Sequence, residues 1–201
     1  MIAPMNAASR SVLSGSSAHY ASLRAAVILS LASVIGLAAC GGSAQQAAAS
    51  MPQVGQEAPA LMLQDHTGRV RTLAEHRGHP VVLYFYPRDA TPGCTQEACA
   101  FRDAWDRLQA AGAVVLGVST DDVISHQRFR DEHNLPFDLL SDPDETAARA
   151  YGVPVRMGFA SRVTFLIDGS GQVARVWPDV DPGVHCDEVL AAIAELPAAA
   201  H

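Results

Sequence analysis

The sequence contains no lysine, so all 14 of its basic residues are arginines. Residues 1–39 also lack any acidic residue, and their only formally charged side chains are Arg10 and Arg24. Without those two, 12 arginines face 21 aspartates and glutamates, and the remainder of the chain is acidic. This balance argues against nucleic acid as a partner, because nucleic-acid sites require clustered positive charge.

The chain also lacks an apolar run long enough to cross a bilayer as a helix. Residues 25–39 form a 15-residue run of small and apolar side chains, whereas a spanning helix needs about 20 and a signal peptide about 7–15. The run ends in Leu37-Ala38-Ala39-Cys40, which resembles a bacterial lipobox. We therefore interpret residues 1–39 as a lipoprotein signal peptide and Cys40 as the lipidated residue. The alternative is an uncleaved anchor in which Cys40 has no role.

The residues after Cys40 predict a tethered, single-domain protein of the cell envelope. Residues 40–50 carry no charge and no large apolar side chain, which is typical of a flexible tether. Residues 51–201 are the right length for one compact domain. Gly41, rather than Asp, follows Cys40, and by analogy with proteobacterial lipoproteins this favours the outer over the inner membrane. We expect a periplasm-facing domain on a lipid anchor.

The periodicity of residues 51–201 predicts an α/β fold. Residues 80–86 and 113–119 are continuous apolar runs, which is typical of strands buried on both faces. The pattern predicts a central mixed sheet flanked by helices, with an N-terminal β-hairpin. A thioredoxin-like and a small flavodoxin-like layout both fit this order. The remaining predicted elements are strands at 60–62, 70–72, 137–140, 163–168 and 172–176, and helices at 94–111, 122–133, 145–151 and 187–196.

Two of the four cysteines lie five residues apart, at the start of a predicted helix. The predicted strand at 80–86 ends just before Pro87, and a Thr-Pro-Gly turn leads to Cys94. Thr91 is a suitable N-cap and Pro92 a suitable first helical residue. Cys94 would then lie in the first helical turn, where the partial positive charge of the helix N-terminus favours a thiolate. Cys99 would follow on the same helix.

This stretch is similar to the active-site motif of the peroxiredoxins, Pro-x-x-x-Thr-x-x-Cys. Pro87, Thr91 and Cys94 occupy its three fixed positions. The Thr-Pro-Gly-Cys-Thr form, with Cys99 at plus five, resembles the bacterioferritin-comigratory or peroxiredoxin Q branch. The resemblance covers most of residues 54–196 and implies a thioredoxin-like fold of the peroxiredoxin type.

The resemblance implies a peroxidase that needs neither a metal nor an organic cofactor. Cys94 would attack a peroxide and become a sulfenic acid, and Cys99 would resolve it as an intramolecular disulfide. A thioredoxin-like dithiol donor would then reduce the disulfide. The branch also implies a monomer. Because thioredoxin is cytoplasmic, an exported chain would need another dithiol donor.

Four further residues take roles from the family, each beside a purely structural alternative. Thr91 would bond the thiolate and the peroxide, or only cap the helix. Pro87 would shield the thiol from water, or only end the strand. Arg162 would stabilise the thiolate and the peroxide, or be a solvated residue at a strand edge. Glu97 would orient the arginine, or be an exposed helix residue.

Other functions remain open at this point. Thioredoxin-type disulfide exchange requires Cys-x-x-Cys, but four residues separate Cys94 from Cys99. A lipoprotein that uses the fold only as a binding module is a second alternative. We interpret Cys186 as uninvolved. No histidine or cysteine pair has zinc-site spacing, and we interpret the loose pair His76 and His79 as surface residues.

Overall fold

The structure, a computed structural model, describes residues 50–197. The predicted signal peptide at 1–39, the predicted lipidation site Cys40 and the tether up to residue 49 lie outside these residues. Within residues 50–197, no helix combines the length and the apolar character needed to cross a membrane.

The centre of the domain is a mixed sheet of seven strands. Nine strands are present within the described residues: β1 Met62–Asp65, β2 Val70–Thr72, β3 Val81–Phe85, β4 Val114–Ser119, β5 Asp138–Ser141, β6 Val155–Arg156, β7 Phe159–Ala160, β8 Val163–Ile167 and β9 Val173–Trp177. The order in the main sheet is β2-β1-β5-β4-β3-β8-β9. β3 pairs with β4 in parallel and with β8 antiparallel. The predicted N-terminal hairpin is confirmed as β1 and β2, and it joins the sheet edge through β5.

The continuous apolar run of β3 packs on both faces of the sheet. All five of its residues are buried. Because side chains alternate along a strand, Val82 and Tyr84 enter one core, and Val81, Leu83 and Phe85 enter the other. The prediction of a strand buried on both sides is therefore confirmed.

Helices cover both faces of the sheet. They are α1 Pro92–Asp103, α2 Trp105–Ala110, α3 Val123–His133, α4 Thr146–Ala150 and α5 His185–Ala194, with a 3-10 turn at Leu73–His76. Phe101 of α1, Leu108 of α2, Phe129 of α3 and Val189 of α5 share the first core. α4 packs on the opposite face, where Ala147 and its neighbours join the second core. The predicted α/β architecture is confirmed.

The predicted single helix at 94–111 is wrong in one respect. Ala104 has φ −95° and ψ 9°, and the helix is divided there into α1 and α2. No glycine or proline marks the break, so composition gave no sign of it. Both segments keep their apolar faces, with Phe101 and Leu108 fully buried in the same core.

Other differences concern element ends and very short elements. The closing helix, predicted from 187, begins at His185 and ends at Ala194. The two-residue strands β6 and β7 pair only with each other, and the sequence pattern did not predict them. Two-residue strands are too short to show an alternating pattern.

Candidate active site

Cys94 lies where β3 passes into α1. β3 ends at Phe85, and after a short loop Thr91 takes the N-cap position, with φ −84° and ψ 148°. Pro92 is the first helical residue, so Cys94 falls in the first turn, and its side chain is almost fully buried. The amides of a helix N-terminus carry partial positive charge, which favours an anionic sulfur over a neutral thiol.

Arg162 reaches Cys94 from the neighbouring strand. It precedes β8, and the antiparallel register opposes Val163 to Phe85, the last residue of β3. Its Nη2 donates a hydrogen bond to the Cys94 Sγ over 3.4 Å. A Cβ built on Gly93 would lie 3.2 Å from the same Nη2, so glycine at this position leaves room for the guanidinium.

Glu97 holds the other side of the guanidinium. Arg162 Nη1 donates to Glu97 Oε2, and the glutamate side chain is 1% exposed. Its Oε1 has no hydrogen-bond partner within residues 50–197. Burial raises the pKa of Glu97 to about 7, although the positive charge of Arg162 and its hydrogen bond act to lower it. For Arg162, burial lowers the pKa, but the charges of Glu97 and Cys94 outweigh burial and raise it.

Thr91 and Pro87 frame the loop before the helix. The Thr91 Oγ1 donates to the carbonyl of Arg88 over 3.0 Å and makes no cap hydrogen bond with its side chain. The bond from this hydroxyl to the thiolate, which the family resemblance implies, is therefore not made in this structure. Pro87 is half-buried and follows the buried Tyr86.

Cys99 lies on α1 with Cys94 and is half-buried. Residues five apart in a regular helix are separated by about 8–9 Å between Cα atoms, whereas a disulfide needs about 7 Å or less. All three cysteines within residues 50–197 are free. Cys94 and Cys99 are close in sequence, but while residues 94–99 stay helical they are too far apart to form a disulfide.

Cys186 belongs to a different environment. It is buried in α5, and its Sγ contacts the carbonyl of Ala100 over 3.5 Å. Burial raises the pKa of this thiol to about 11, so it stays protonated and unreactive at neutral pH. This agrees with its interpretation as an uninvolved residue.

Several histidines are more buried than the polar segments around them in the sequence suggest. His126 and His185 are fully buried, and His66 is nearly so. His79 is exposed, as the surface interpretation requires, but His76 is half-buried, with its Nε2 shielded from solvent. Within residues 50–197, no three His, Cys, Asp or Glu side chains are arranged to hold a metal ion.

Asp89 and His126, which the sequence pattern did not single out, meet next to the loop that carries Thr91. His126 Nδ1 lies 2.9 Å from the Asp89 carboxylate. One signal was available in the sequence: His126 and Phe129 are three residues apart on α3, so they share a helix face, and both are buried.

Comparison with known proteins places this geometry in a family. The sequence profile of the AhpC/TSA family matches residues 54–176. The peroxiredoxin bcp of Coxiella burnetii is 49% identical over 145 residues, which cover 69% of this chain and 96% of that protein. The chloroplastic peroxiredoxin Q of Oryza sativa subsp. japonica is 42% identical over 139 residues, which cover 68% of this chain and 64% of that protein.

Solved structures of peroxiredoxins have the same fold as this chain. The peroxidoxin BcpB of Mycobacterium tuberculosis superposes with a TM-score of 0.69 at 34% identity, covering 73% of this chain and 99% of that one. Peroxiredoxin Q of Xanthomonas campestris gives a TM-score of 0.64 at 40% identity, covering 67% and 89%. The thioredoxin-like layout is thereby confirmed, and the flavodoxin-like alternative is wrong.

The raised pKa of Glu97 predicts a pH-dependent contribution to stability. The folded state binds this proton more tightly than the unfolded chain, since the pKa rises from 4.5 to about 7. The stabilisation is therefore complete below about pH 4.5 and is lost as pH rises through 7, a change on the order of 3 kcal/mol. Glu97→Gln removes this titration. We expect the free energy of unfolding of the variant, relative to the parent, to increase between pH 5 and 8.

Urea unfolding of both proteins at several pH values measures this difference. Glu132→Gln, at an exposed position of α3, is the matched control and should give a difference that does not change with pH. A flat difference for Glu97→Gln would show that the buried carboxyl has an ordinary pKa.

Proposed function

The chain belongs to the AhpC/TSA family and is a peroxiredoxin of the bacterioferritin-comigratory and peroxiredoxin Q branch, and we propose that Cys94 is its peroxide-reactive residue. The family consists of thiol-dependent peroxidases, and this chain is one. The observation that carries the assignment of Cys94 is that its sulfur, in the first turn of a helix, accepts a hydrogen bond from the half-buried Arg162. Family membership also decides against the thiol-disulfide oxidoreductase.

The first step is attack of the Cys94 thiolate on one peroxide oxygen. The S–O bond forms as the O–O bond breaks, and the leaving oxygen takes a proton to become water or an alcohol. The sulfur loses two electrons and becomes a sulfenic acid, while the peroxide is reduced. Arg162 stabilises the thiolate before attack and presents further N–H donors to the oxygens. Glu97 fixes the plane of the guanidinium.

The second step is attack of the Cys99 thiolate on the sulfenic sulfur of Cys94. The S–S bond forms, the hydroxyl group leaves and is protonated to water, and the product is an intramolecular disulfide. A thioredoxin-like dithiol donor then reduces the disulfide by thiol exchange. We propose that the enzyme completes this cycle as a monomer.

The roles of the two cysteines predict different losses. Cys94→Ser should abolish peroxidase turnover, because no other described thiol accepts a hydrogen bond from Arg162 in the first turn of a helix. Cys99→Ser should consume about one peroxide per chain and stop as the sulfenic acid. Peroxide consumption with a dithiol protein as the only donor, together with trapping of the sulfenic acid, measures both outcomes.

Cys186→Ser is the matched control and should turn over like the parent. If Cys99→Ser also turned over at the parent rate, Cys99 would not be the resolving residue. If Cys94 formed no sulfenic acid at low peroxide, the protein would use its fold for binding only.

Disulfide formation predicts a local change in α1. Because the helix keeps the two sulfurs apart, its first turns must unwind on oxidation and rewind on reduction. Amide exchange in residues 93–100 should rise in the disulfide form, while exchange in β3 stays nearly unchanged. The emission of Trp105, which begins α2, should also differ between the two forms.

Hydrogen-exchange mass spectrometry of the reduced and oxidised proteins tests this change. Cys99→Ser treated with the same peroxide cannot form the disulfide and serves as the control. Identical exchange in the two parent forms, with the disulfide confirmed by mass, would contradict the unwinding.

We further propose that the protein is lipidated at Cys40 and faces the periplasm, on the outer membrane in preference to the inner. The lipobox-like residues 37–40, the tether that follows and Gly41 after the cysteine support this proposal. An enzyme at this site would receive electrons from a thioredoxin-like dithiol protein outside the cytoplasm.

Lipidation predicts incorporation of labelled palmitate when the whole chain is expressed in a bacterium. The parent should carry the label and partition with membranes, since two or more acyl chains suffice for stable anchoring. Cys40→Ala should lose the label, whereas Cys186→Ala should retain it. A parent protein without label would disprove the lipoprotein proposal.

A further inference from the structure

A buried polar network lies directly beneath the loop that leads into α1. His126 of α3 is fully buried and contacts groups from two other elements. Its Nδ1 lies 2.9 Å from Asp89 Oδ2, and its Nε2 lies 3.1 Å from the backbone carbonyl of Leu140 in β5. The mechanism above uses neither Asp89 nor His126.

The partners of His126 determine its protonation. A carbonyl oxygen can only accept a hydrogen bond, and so can an ionised carboxylate. A neutral imidazole would turn one nitrogen lone pair toward one of these oxygens, without solvent to relieve the repulsion. The Tyr86 hydroxyl also lies 3.3 Å from Nδ1, but its single proton is donated to Asp89 Oδ1 over 2.7 Å. Both ring nitrogens are thus placed to donate hydrogen bonds, which a doubly protonated ring can do.

Asp89 has the donors that a buried carboxylate needs. Tyr86 Oη donates to one of its oxygens over 2.7 Å, and Ser125 Oγ donates to the other over 2.7 Å. Burial raises the pKa of Asp89, but the hydrogen bond and the charge of His126, together with the hydrogen bonds of Tyr86 and Ser125, outweigh burial and lower it below its usual value. The polar groups facing His126 are thus Asp89, the Tyr86 hydroxyl and the Leu140 carbonyl, while Ser125 contacts Asp89.

The network holds a loop whose backbone includes an unfavourable conformation. Ala90, next to Asp89, has φ 54°, a left-handed conformation that costs a residue with a Cβ about 1 kcal/mol or more. The Asp89 amide donates to Asp121 Oδ2 over 2.9 Å, which holds the loop from a second side. The next residue, Thr91, occupies the N-cap position of α1, so the loop conformation sets where the first turn and Cys94 lie.

We propose that Asp89 and His126 form a buried ion pair that positions the loop 87–91, and through it Cys94, for attack on the peroxide. The pair acts as a positioning device and does not touch the substrate. Its effect on rate rests on the role of Cys94 proposed above, but its charge state can be measured independently.

The charge state is tested by nitrogen NMR of the protein labelled with ¹⁵N in its histidines. At pH 7 both ring nitrogens of His126 should show the shifts of protonated nitrogens, with N–H protons that exchange slowly because the ring is buried. Loss of one set of signals in His126→Gln assigns them. A parent His126 with one unprotonated nitrogen would overturn the ion pair, whatever the activity.

The positioning role is tested with Asp89→Asn, which keeps the shape and removes the negative charge. In stopped-flow measurements the rate constant for oxidation of Cys94 should fall by about tenfold or more, as expected for a loss of about 1.4 kcal/mol. The later attack by Cys99 should keep its rate. Asp131→Asn, an exposed position on α3, is the control for charge and should react like the parent.

The double variant Asp89→Asn/His126→Gln separates positioning from general destabilisation. If the two residues act as one unit, the double variant should lose little more than the single one. Should Asp89→Asn unfold more easily yet react with peroxide as fast as the parent, the pair would be only structural and the proposal would fail. Complete loss of oxidation in Cys94→Ser tests a different claim, so the two failures are distinguishable.

Discussion

The site depends on one half-buried guanidinium and the two acceptors that face it. A buried positive charge is costly unless it is paired and hydrogen-bonded. Arg162 meets this requirement with Glu97 on one side and the Cys94 sulfur on the other. The register between β3 and β8 brings the arginine to this position, and Gly93 leaves space for it. The sulfur of Cys94 therefore lies against a guanidinium that is already partly shielded from solvent.

The same helix serves two requirements that conflict. Its first turn must be ordered, so that Cys94 lies beside Arg162 when the peroxide arrives. It must then come apart, because Cys99 cannot reach Cys94 along an intact helix. Phe101 is fully buried in the core and anchors the end of α1 that need not move. β3 is buried on both faces of the sheet, and we expect it to stay in place during the rearrangement. Unwinding would expose the buried Ala98 and separate Glu97 from Arg162, and this cost favours return to the helical form after reduction.

Much of the fold and of the candidate site could be predicted from local sequence patterns, and each feature that could not be predicted has a physical reason. The continuous apolar runs predicted β3 and β4, and the Thr-Pro-Gly turn predicted the start of α1. The break at Ala104 involves neither glycine nor proline, so it arises from packing. The pairing of His126 could not be predicted, because its partners, Asp89 and the Leu140 carbonyl, come from distant parts of the chain. The hydroxyl of Thr91 bonds a backbone carbonyl of its own loop, a choice that spacing does not encode.

The absence of lysine makes the central claim directly measurable. Trypsin will cleave after Arg88 and Arg102, so Cys94 and Cys99 fall on one peptide, Asp89–Arg102, while Cys186 falls on another. After one equivalent of peroxide and alkylation of free thiols, mass spectrometry should find this peptide unalkylated and lighter than its reduced form by two hydrogen atoms. A disulfide to Cys186 or between two chains, or a peptide still alkylated at both cysteines, would contradict the account.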